Sequence, residues 1–232
     1  MPALLLAREA CERSGIDEVT VITCKPEPFF DDYIRLVFTG FGRVEIVALH
    51  GSEYVTTSRA LYATSLGEGV VRCVLSEHGR LVSRLKSKIG MSERQPSRDI
   101  YISRGDTRTR PMENEAALIE SLSRRGLEIV TLSGMSVADQ IKLFDEARLI
   151  VGPHGAGLAN IVFARSGTTL LELGQTEYVN ACFLRLAQAV GVRHVMQFFD
   201  SRNAVSIAEK AWQVDIDAVG AAVDRILAAE PA

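Results

Sequence analysis

The residues best suited to hold an anion lie in Leu149-Ile150-Val151-Gly152-Pro153-His154-Gly155-Ala156-Gly157-Leu158-Ala159-Asn160, which reads as an apolar strand, a glycine-rich turn and the start of a helix. Glycines in such a turn admit positive φ and let main chain approach a ligand closely. The first N–H groups of the following helix, with their partial positive charge, point at the same place. A nucleotide diphosphate fits that description. His154 adds an imidazole at the point of closest approach, able to donate to a phosphate or to act as acid or base near neutral pH. A lone glycine turn also has a plainer use as a tight strand-to-helix connection, so its surroundings decide.

Ligands of an open parallel sheet bind outside the carboxyl ends of its strands, which makes the residues just after each strand the next to consider. Those positions gather Ser103-Arg104, Ser133, the turn containing Pro153, His154 and Gly155, and Glu172-Leu173-Gly174 on one rim. Arg104 opens Arg104-Gly105-Asp106-Thr107-Arg108-Thr109-Arg110, with three arginines in seven residues. Guanidinium forks suit phosphate oxygens. Arg104 directly follows a strand and is the better phosphate ligand, while at least one of Arg108 and Arg110 reads as solvated. Glu172 stands in the apolar run Thr169-Leu170-Leu171-Glu172-Leu173, where a carboxylate is costly unless paired. The two hydroxyls of a ribose are the expected partners, with a structural salt bridge as the alternative. Asn114 and Glu115 open the helix after the arginine loop, where ligand contact and capping are equally good explanations.

The elements that must position these residues follow a regular alternation. Up to residue 92 the pattern predicts a helix over 3–13, a strand over 19–24, a helix over 31–38, a strand over 43–49 and a helix from about 77 to 88. The polar segment Met91-Ser92-Glu93-Arg94-Gln95-Pro96-Ser97-Arg98 reads as an interdomain linker. Beyond it, strands are predicted over 100–103, 127–132, 149–152, 169–173 and 194–199, separated by helices over 113–124, 137–147, 158–164 and 180–190, with a closing helix over 216–229. Such repeated β/α units imply a parallel sheet with helices on both faces. The expected domains are therefore a short α/β half over 1–92 and a complete Rossmann-like half over 97–232.

Composition narrows the function classes. With 232 residues, 47% of them hydrophobic, the chain can bury a sizeable core. A net charge of −3 supplies no basic field for nucleic acid or an anionic membrane, so any anion site must be built locally. Cys11, Cys24, Cys73 and Cys182 are scattered and read as reduced core cysteines, neither a zinc site nor a disulfide framework. The start, Met1-Pro2-Ala3-Leu4-Leu5-Leu6-Ala7, is too short for a signal segment, and no run approaches the roughly 18 apolar residues of a membrane span. A cytoplasmic location is expected.

The ordered blocks Tyr101-Ile102-Ser103-Arg104, Asn114-Glu115, Asp139-Gln140-Ile141, Val151 to Asn160 and Leu171-Glu172-Leu173 resemble glycosyltransferase family 61 over roughly residues 97–175. The resemblance implies a GT-B architecture of two Rossmann-like halves, the nucleotide-sugar donor being held mainly by the C-terminal one. It implies inversion at the anomeric carbon and a glycan or polysaccharide acceptor; bacterial relatives are commonly labelled capsular polysaccharide biosynthesis proteins. Relative to that family, whose members usually carry an aromatic–histidine motif upstream of the region that begins here, the half before residue 92 is shorter than a full acceptor domain.

The implied reaction is a single displacement. An acceptor hydroxyl attacks the anomeric carbon while charge grows on the leaving diphosphate; that charge is assigned to Arg104, Arg110 and the N–H groups around Gly155, Ala156 and Gly157, with His154 beside it, and the substrate-binding set further includes Asn114, Glu115, Pro153, Asn160 and Glu172. His154 and Arg104 are the residues assigned to catalysis. One well-placed donor of this kind is typically worth about 3 kcal/mol. No cofactor or metal is expected, since Asp215-Ile216-Asp217 has D-x-D spacing but begins the closing helix, where acids favour the N-terminus. For the general base an inverting transfer requires, Asp31, Asp32, His50 and His78 are available in the first half, each with a structural role as the stronger reading. A homo-oligomer stays open. Two other readings compete: a nucleotide-sugar-binding subunit without turnover, and a dinucleotide-dependent oxidoreductase. The last is weakest, because the glycine turn follows the third strand of its half, not the first.

Overall fold

The computed structural model describes residues 2–24, 28–61, 75–91, 94–107, 109–200 and 211–229. The chain divides into two compact units, residues 1–91 with 136–138 and residues 92–135 with 139–232. Among the described residues, no helix is long and apolar enough to cross a membrane.

The first unit holds α1 (Pro2–Arg13), β1 (Glu18–Cys24), α2 (Pro28–Val37), β2 (Arg43–Leu49) and α3 (Leu75–Lys88). β1 and β2 pair in parallel from Glu18 opposite Arg43 to Cys24 opposite Leu49, as a two-stranded sheet. Leu5, Cys11, Ile34, Val37, Val82 and Leu85 are buried apolar residues of its helices. Glu9, nearly buried on α1, takes ion pairs from Arg80 and Arg84 of α3. These paired charges compensate the cost of desolvating the carboxylate. The side chain of His78 lies outside the described residues, as do Ser92 and Glu93 of the expected linker.

The second unit runs β3 (Arg98–Ile102), α4 (Glu115–Arg124), β4 (Glu128–Val130), α5 (Val137–Glu146), β5 (Ala147–Pro153), a 3₁₀ helix (Ala156–Phe163), β6 (Thr169–Gln175), α6 (Cys182–Val190), β7 (Arg193–Phe199) and α7 (Ile216–Ala228). All five strands are parallel, in the order β4-β3-β5-β6-β7. The central strands carry the most continuous apolar runs. Leu149, Ile150 and Val151 of β5 and Leu170, Leu171 and Leu173 of β6 are buried, as strands covered on both faces require. Tyr101, Leu118, Leu122, Trp212, Val219 and Val223 belong to one apolar cluster on the sheet.

Two expectations change. The strand predicted over 127–132 is confined to Glu128–Val130. The helix predicted over 158–164 is a 3₁₀ helix, with Leu158 N–H donating to the Gly155 carbonyl and Ala164 N–H to that of Ile161. Gly157 and the β-branched Ile161 and Val162 are weak α-formers, which favours the short, tight form. The strand order matters most for function. The chain first moves from β3 to β4 on one side, then returns past β3 to β5 and onward on the other, so the direction of winding reverses between β3 and β5. A crevice forms at that switch point, outside the carboxyl ends of those two strands.

Candidate active site at the switch point

β3 ends in Ile102 and delivers Ser103 and Arg104 to the crevice, and β5 ends in Pro153 and delivers His154 and Gly155. The Arg104 guanidinium crosses from one strand end to the other. Its Nη1 donates to the His154 carbonyl at 3.1 Å, and its Nη2 donates to the Thr109 carbonyl and hydroxyl, each at 3.1 Å. Nε is buried without a hydrogen-bond partner among the described residues. All these acceptors are neutral, so the guanidinium charge is not neutralised by an ion pair among the described residues. Burial, and next the nearby charge of Arg110, lower the Arg104 pKa from its ordinary value. The arginine remains charged nonetheless, because the guanidinium pKa starts so high.

The glycines of the turn are used differently from the expectation. None of Gly152, Gly155 and Gly157 has positive φ, and Gly155 is fully extended at φ −179°. What they supply is room. A Cβ on Gly155 would lie 2.9 Å from Arg104 Cζ and closer still to Nη1. On Gly157 it would meet Leu132 Cδ1 at 2.9 Å, and on Gly152 it would press on Leu158 and Ile102 at 3.1 and 3.3 Å. Pro153 is buried at the end of β5, Ala156 is exposed and Gly157 is half-buried.

Glu115 shapes the opposite wall. Its Oε1 accepts from the Tyr101 hydroxyl at 3.0 Å, the Ser103 hydroxyl at 3.0 Å and the Arg104 N–H at 2.9 Å. This carboxylate therefore turns the chain at the end of β3. Burial and then the Glu115 charge drive the Tyr101 hydroxyl pKa upward. Asn114 uses both ends of its amide on Val214, donating to its carbonyl at 2.8 Å and accepting its N–H at 3.1 Å. Asn160 donates to Gln140 Oε1 at 2.8 Å, fastening the 3₁₀ helix to α5. Asn114 and Asn160 thus have structural partners independent of any ligand.

Arg110 has the unusual φ of 54°, and its carbonyl accepts from the Trp212 indole N–H at 3.1 Å. Its guanidinium stands 4.7 Å from the centre of the Tyr178 ring. The Tyr178 ring in turn meets His154 edge to face at 5.2 Å, with Phe183 5.0 Å from the imidazole on another side. A second arginine is thereby brought near Arg104. Arg108 lies outside the described residues. His50 follows β2 and is exposed, its N–H donating to Glu53 at 2.8 Å. Asp215 caps α7 by accepting from the Ala218 N–H at 2.9 Å, as expected of the D-x-D-like sequence there.

For Glu172 the sequence offered a ribose or a structural salt bridge, and the structure sets two imidazoles against the carboxylate. Glu172 is wholly buried, with Oε1 against His154 Nδ1 and Oε2 2.6 Å from His194 Nε2. Register explains the arrangement. Gly152, Glu172 and Met196 are opposite one another on β5, β6 and β7. His154 lies two residues after Gly152 and His194 two before Met196, so all three polar side chains share one face along a diagonal. Neighbouring strands are about 4.8 Å apart and two residues advance about 6.6 Å, a separation that glutamate and histidine side chains can bridge. Burial raises the Glu172 pKa, but the bonds to His154 and His194 lower it further, leaving the carboxyl below its ordinary value. His194 and Tyr178 did not emerge from the sequence as site residues. Tyr178 carried no signal, whereas a histidine within the strand pattern Arg193-His194-Val195-Met196 was a visible one.

A parallel α/β sheet with an arginine, a histidine and a space-making glycine at its switch point defines a class that binds ligands in that crevice. Comparison then places the chain: it belongs to the glycosyltransferase 61 family, whose sequence model matches residues 16–171. A beta-1,2-xylosyltransferase of Arabidopsis thaliana is 33% identical over 97 residues, which make up 40% of this chain and 18% of that protein. The match thus spans less than a fifth of that relative's length. Among solved structures, a mutant flavo di-iron protein from Thermotoga maritima is similar at 14% identity and a TM-score of 0.38, over 65% of this chain and 40% of that chain.

Proposed function

We propose that the chain transfers a sugar, with inversion, from a nucleotide-diphosphate sugar to a hydroxyl of a glycan or polysaccharide, and that the C-terminal unit is the donor-binding half of a GT-B enzyme. Membership of the glycosyltransferase 61 family supports the reaction class. The observation that carries the site is Arg104, whose guanidinium crosses the switch-point turn with neutral acceptors only and with Arg110 nearby. Two cations drawn together, with Asp106 and Glu115 nearby but neither ion-paired to the Arg104 guanidinium among the described residues, suit a polyanion. In this reading both arginines and the main chain about Gly155 and Gly157 stabilise charge growing on the diphosphate, and His154 stands beside it. The acceptor's general base lies on the opposite face of the sugar, so His154 is not assigned that role.

Metal-free chemistry is part of the same proposal, because arginine and imidazole can neutralise the leaving group without oxygen-ligated magnesium or manganese. The test is calorimetry with UDP and GDP, followed by turnover of UDP-xylose and UDP-N-acetylglucosamine in excess chelator. The xylosyltransferase relative makes the pentose donor the first to try. Binding with turnover in chelator supports the proposal. Activity lost in chelator and restored by manganese overturns the metal-free part, and binding without hydrolysis or transfer leaves a nucleotide-sugar-binding subunit instead.

A further inference from the structure

We infer that His194 is a positioning residue: acting through Glu172, it locks His154 as the tautomer that carries its proton on Nδ1. An ionised carboxylate only accepts hydrogen bonds, so each ring nitrogen facing it must bear a proton. His154 faces Glu172 with Nδ1 and His194 faces it with Nε2. His154 is therefore left with Nε2 as its working nitrogen, and Nε2 has no hydrogen-bond partner among the described residues.

The need for His194 comes from burial. Glu172 has no exposed surface, and the His154 and His194 side chains are only 10% and 7% exposed. Water is poorly placed to replace either partner. With His194 removed, Oε2 would be a buried acceptor without a donor, and the carboxyl would be driven to protonate or to rotate. A protonated carboxyl can donate to Nδ1, which sends the His154 proton to Nε2 and reverses the tautomer. The other groups around the imidazole do not prevent this: Tyr178 and Phe183 meet the ring through their own rings, and Arg104 touches only the His154 carbonyl. His194 thus decides which nitrogen of His154 does the chemistry. The inference takes its functional meaning from the donor-site proposal, but the tautomer itself stands or falls alone.

The experiment is nitrogen-15 NMR of the imidazole rings in the full chain, at a pH where the rings are neutral. There are only four histidines, His50, His78, His154 and His194, so single substitutions assign the signals. The expected result is a proton on Nδ1 of His154 and on Nε2 of His194. His194→Leu should turn His154 into a mixture or into the Nε2–H form. His194→Gln, whose amide N–H can stand where Nε2–H stood, should restore the original pattern. A His154 bearing its proton on Nε2 in the parent protein overturns the inference, even if the leucine variant does not fold. So does an unchanged Nδ1–H pattern in His194→Leu. UDP calorimetry on the same variants separates the two proposals. A several-fold loss of affinity in His194→Leu, recovered in His194→Gln, supports both, whereas an altered tautomer with unchanged UDP affinity removes His154 from the donor site and leaves the positioning role intact.

Discussion

Arg104 occupies the space into which a side chain on Gly155 would project. Because Gly155 is extended, alanine is free of backbone strain there, and its methyl group acts only by displacing the guanidinium. Gly155→Ala is expected to weaken nucleoside diphosphate binding about as much as Arg104→Ala, whose loss of charge-assisted bonds corresponds to about 1.5–3 kcal/mol. In the Arg104→Ala background Gly155→Ala should cost almost nothing more, since the two changes remove one contact. Calorimetric titration of the four proteins completes the cycle, and additive losses would show that Gly155 acts through something else.

The buried Glu172 makes stability depend on acid. Burial alone would raise its pKa, but the two histidine contacts hold the folded-state value below the unfolded one, about 4.3. Its contribution is therefore fully present above the unfolded value and is lost as pH falls through the folded one. Glu172→Gln should flatten the stability curve across that acid range, and should cost about 1–3 kcal/mol near neutrality by leaving one imidazole badly matched. Denaturant midpoints measured from neutral pH down through the range below the unfolded carboxyl value would show it. Parallel curves for parent and variant would mean that Glu172 titrates as an ordinary carboxyl.

Arg110 stands over Tyr178 in a geometry that leaves its charge close to Arg104. Its contribution to binding a diphosphate should be mainly long-range and so sensitive to salt, which screens exposed charges over about 10 Å at 0.1 M. Arg110→Ala is expected to weaken binding at low ionic strength and to make affinity less dependent on salt. Equal salt slopes for parent and variant would place Arg110 outside the anion's field.

Asn114 ties the segment before α7 to the start of α4 through its paired bonds with Val214. Removing them in Asn114→Ala should lower unfolding free energy by about 1–3 kcal/mol, because Val214 N–H and carbonyl lose buried partners. Affinity for UDP should change far less than in Arg104→Ala. A large affinity loss at unchanged stability would instead make Asn114 a ligand contact.

Much of the second unit was legible from local pattern. Apolar runs separated by helical periodicity identified each strand and its crossover, and the rule that ligands gather at strand carboxyl ends brought Arg104, His154 and Gly155 forward together. The resemblance to glycosyltransferase family 61 rested on those same blocks. Side-chain use was less legible. Glycines are chosen either for φ or for space, and sequence does not distinguish the two. In this turn all three answer to space, set by Arg104, Leu132, Leu158 and Ile102 from other elements.

What the sequence determined by itself is the alternating α/β chain with an arginine, a glycine turn and a histidine at strand ends, since these depend on residues close in sequence. The tertiary structure decided which strand ends meet. Only the order β4-β3-β5-β6-β7 sets Arg104 beside Gly155, and only the parallel register of β5, β6 and β7 aligns His154, Glu172 and His194 on one diagonal. Strand order and register are chosen by packing across the whole sheet, so the partner of a buried charge is fixed by distant residues. For that reason the sequence left Glu172 open between a ribose and a salt bridge, and the fold supplied two histidines.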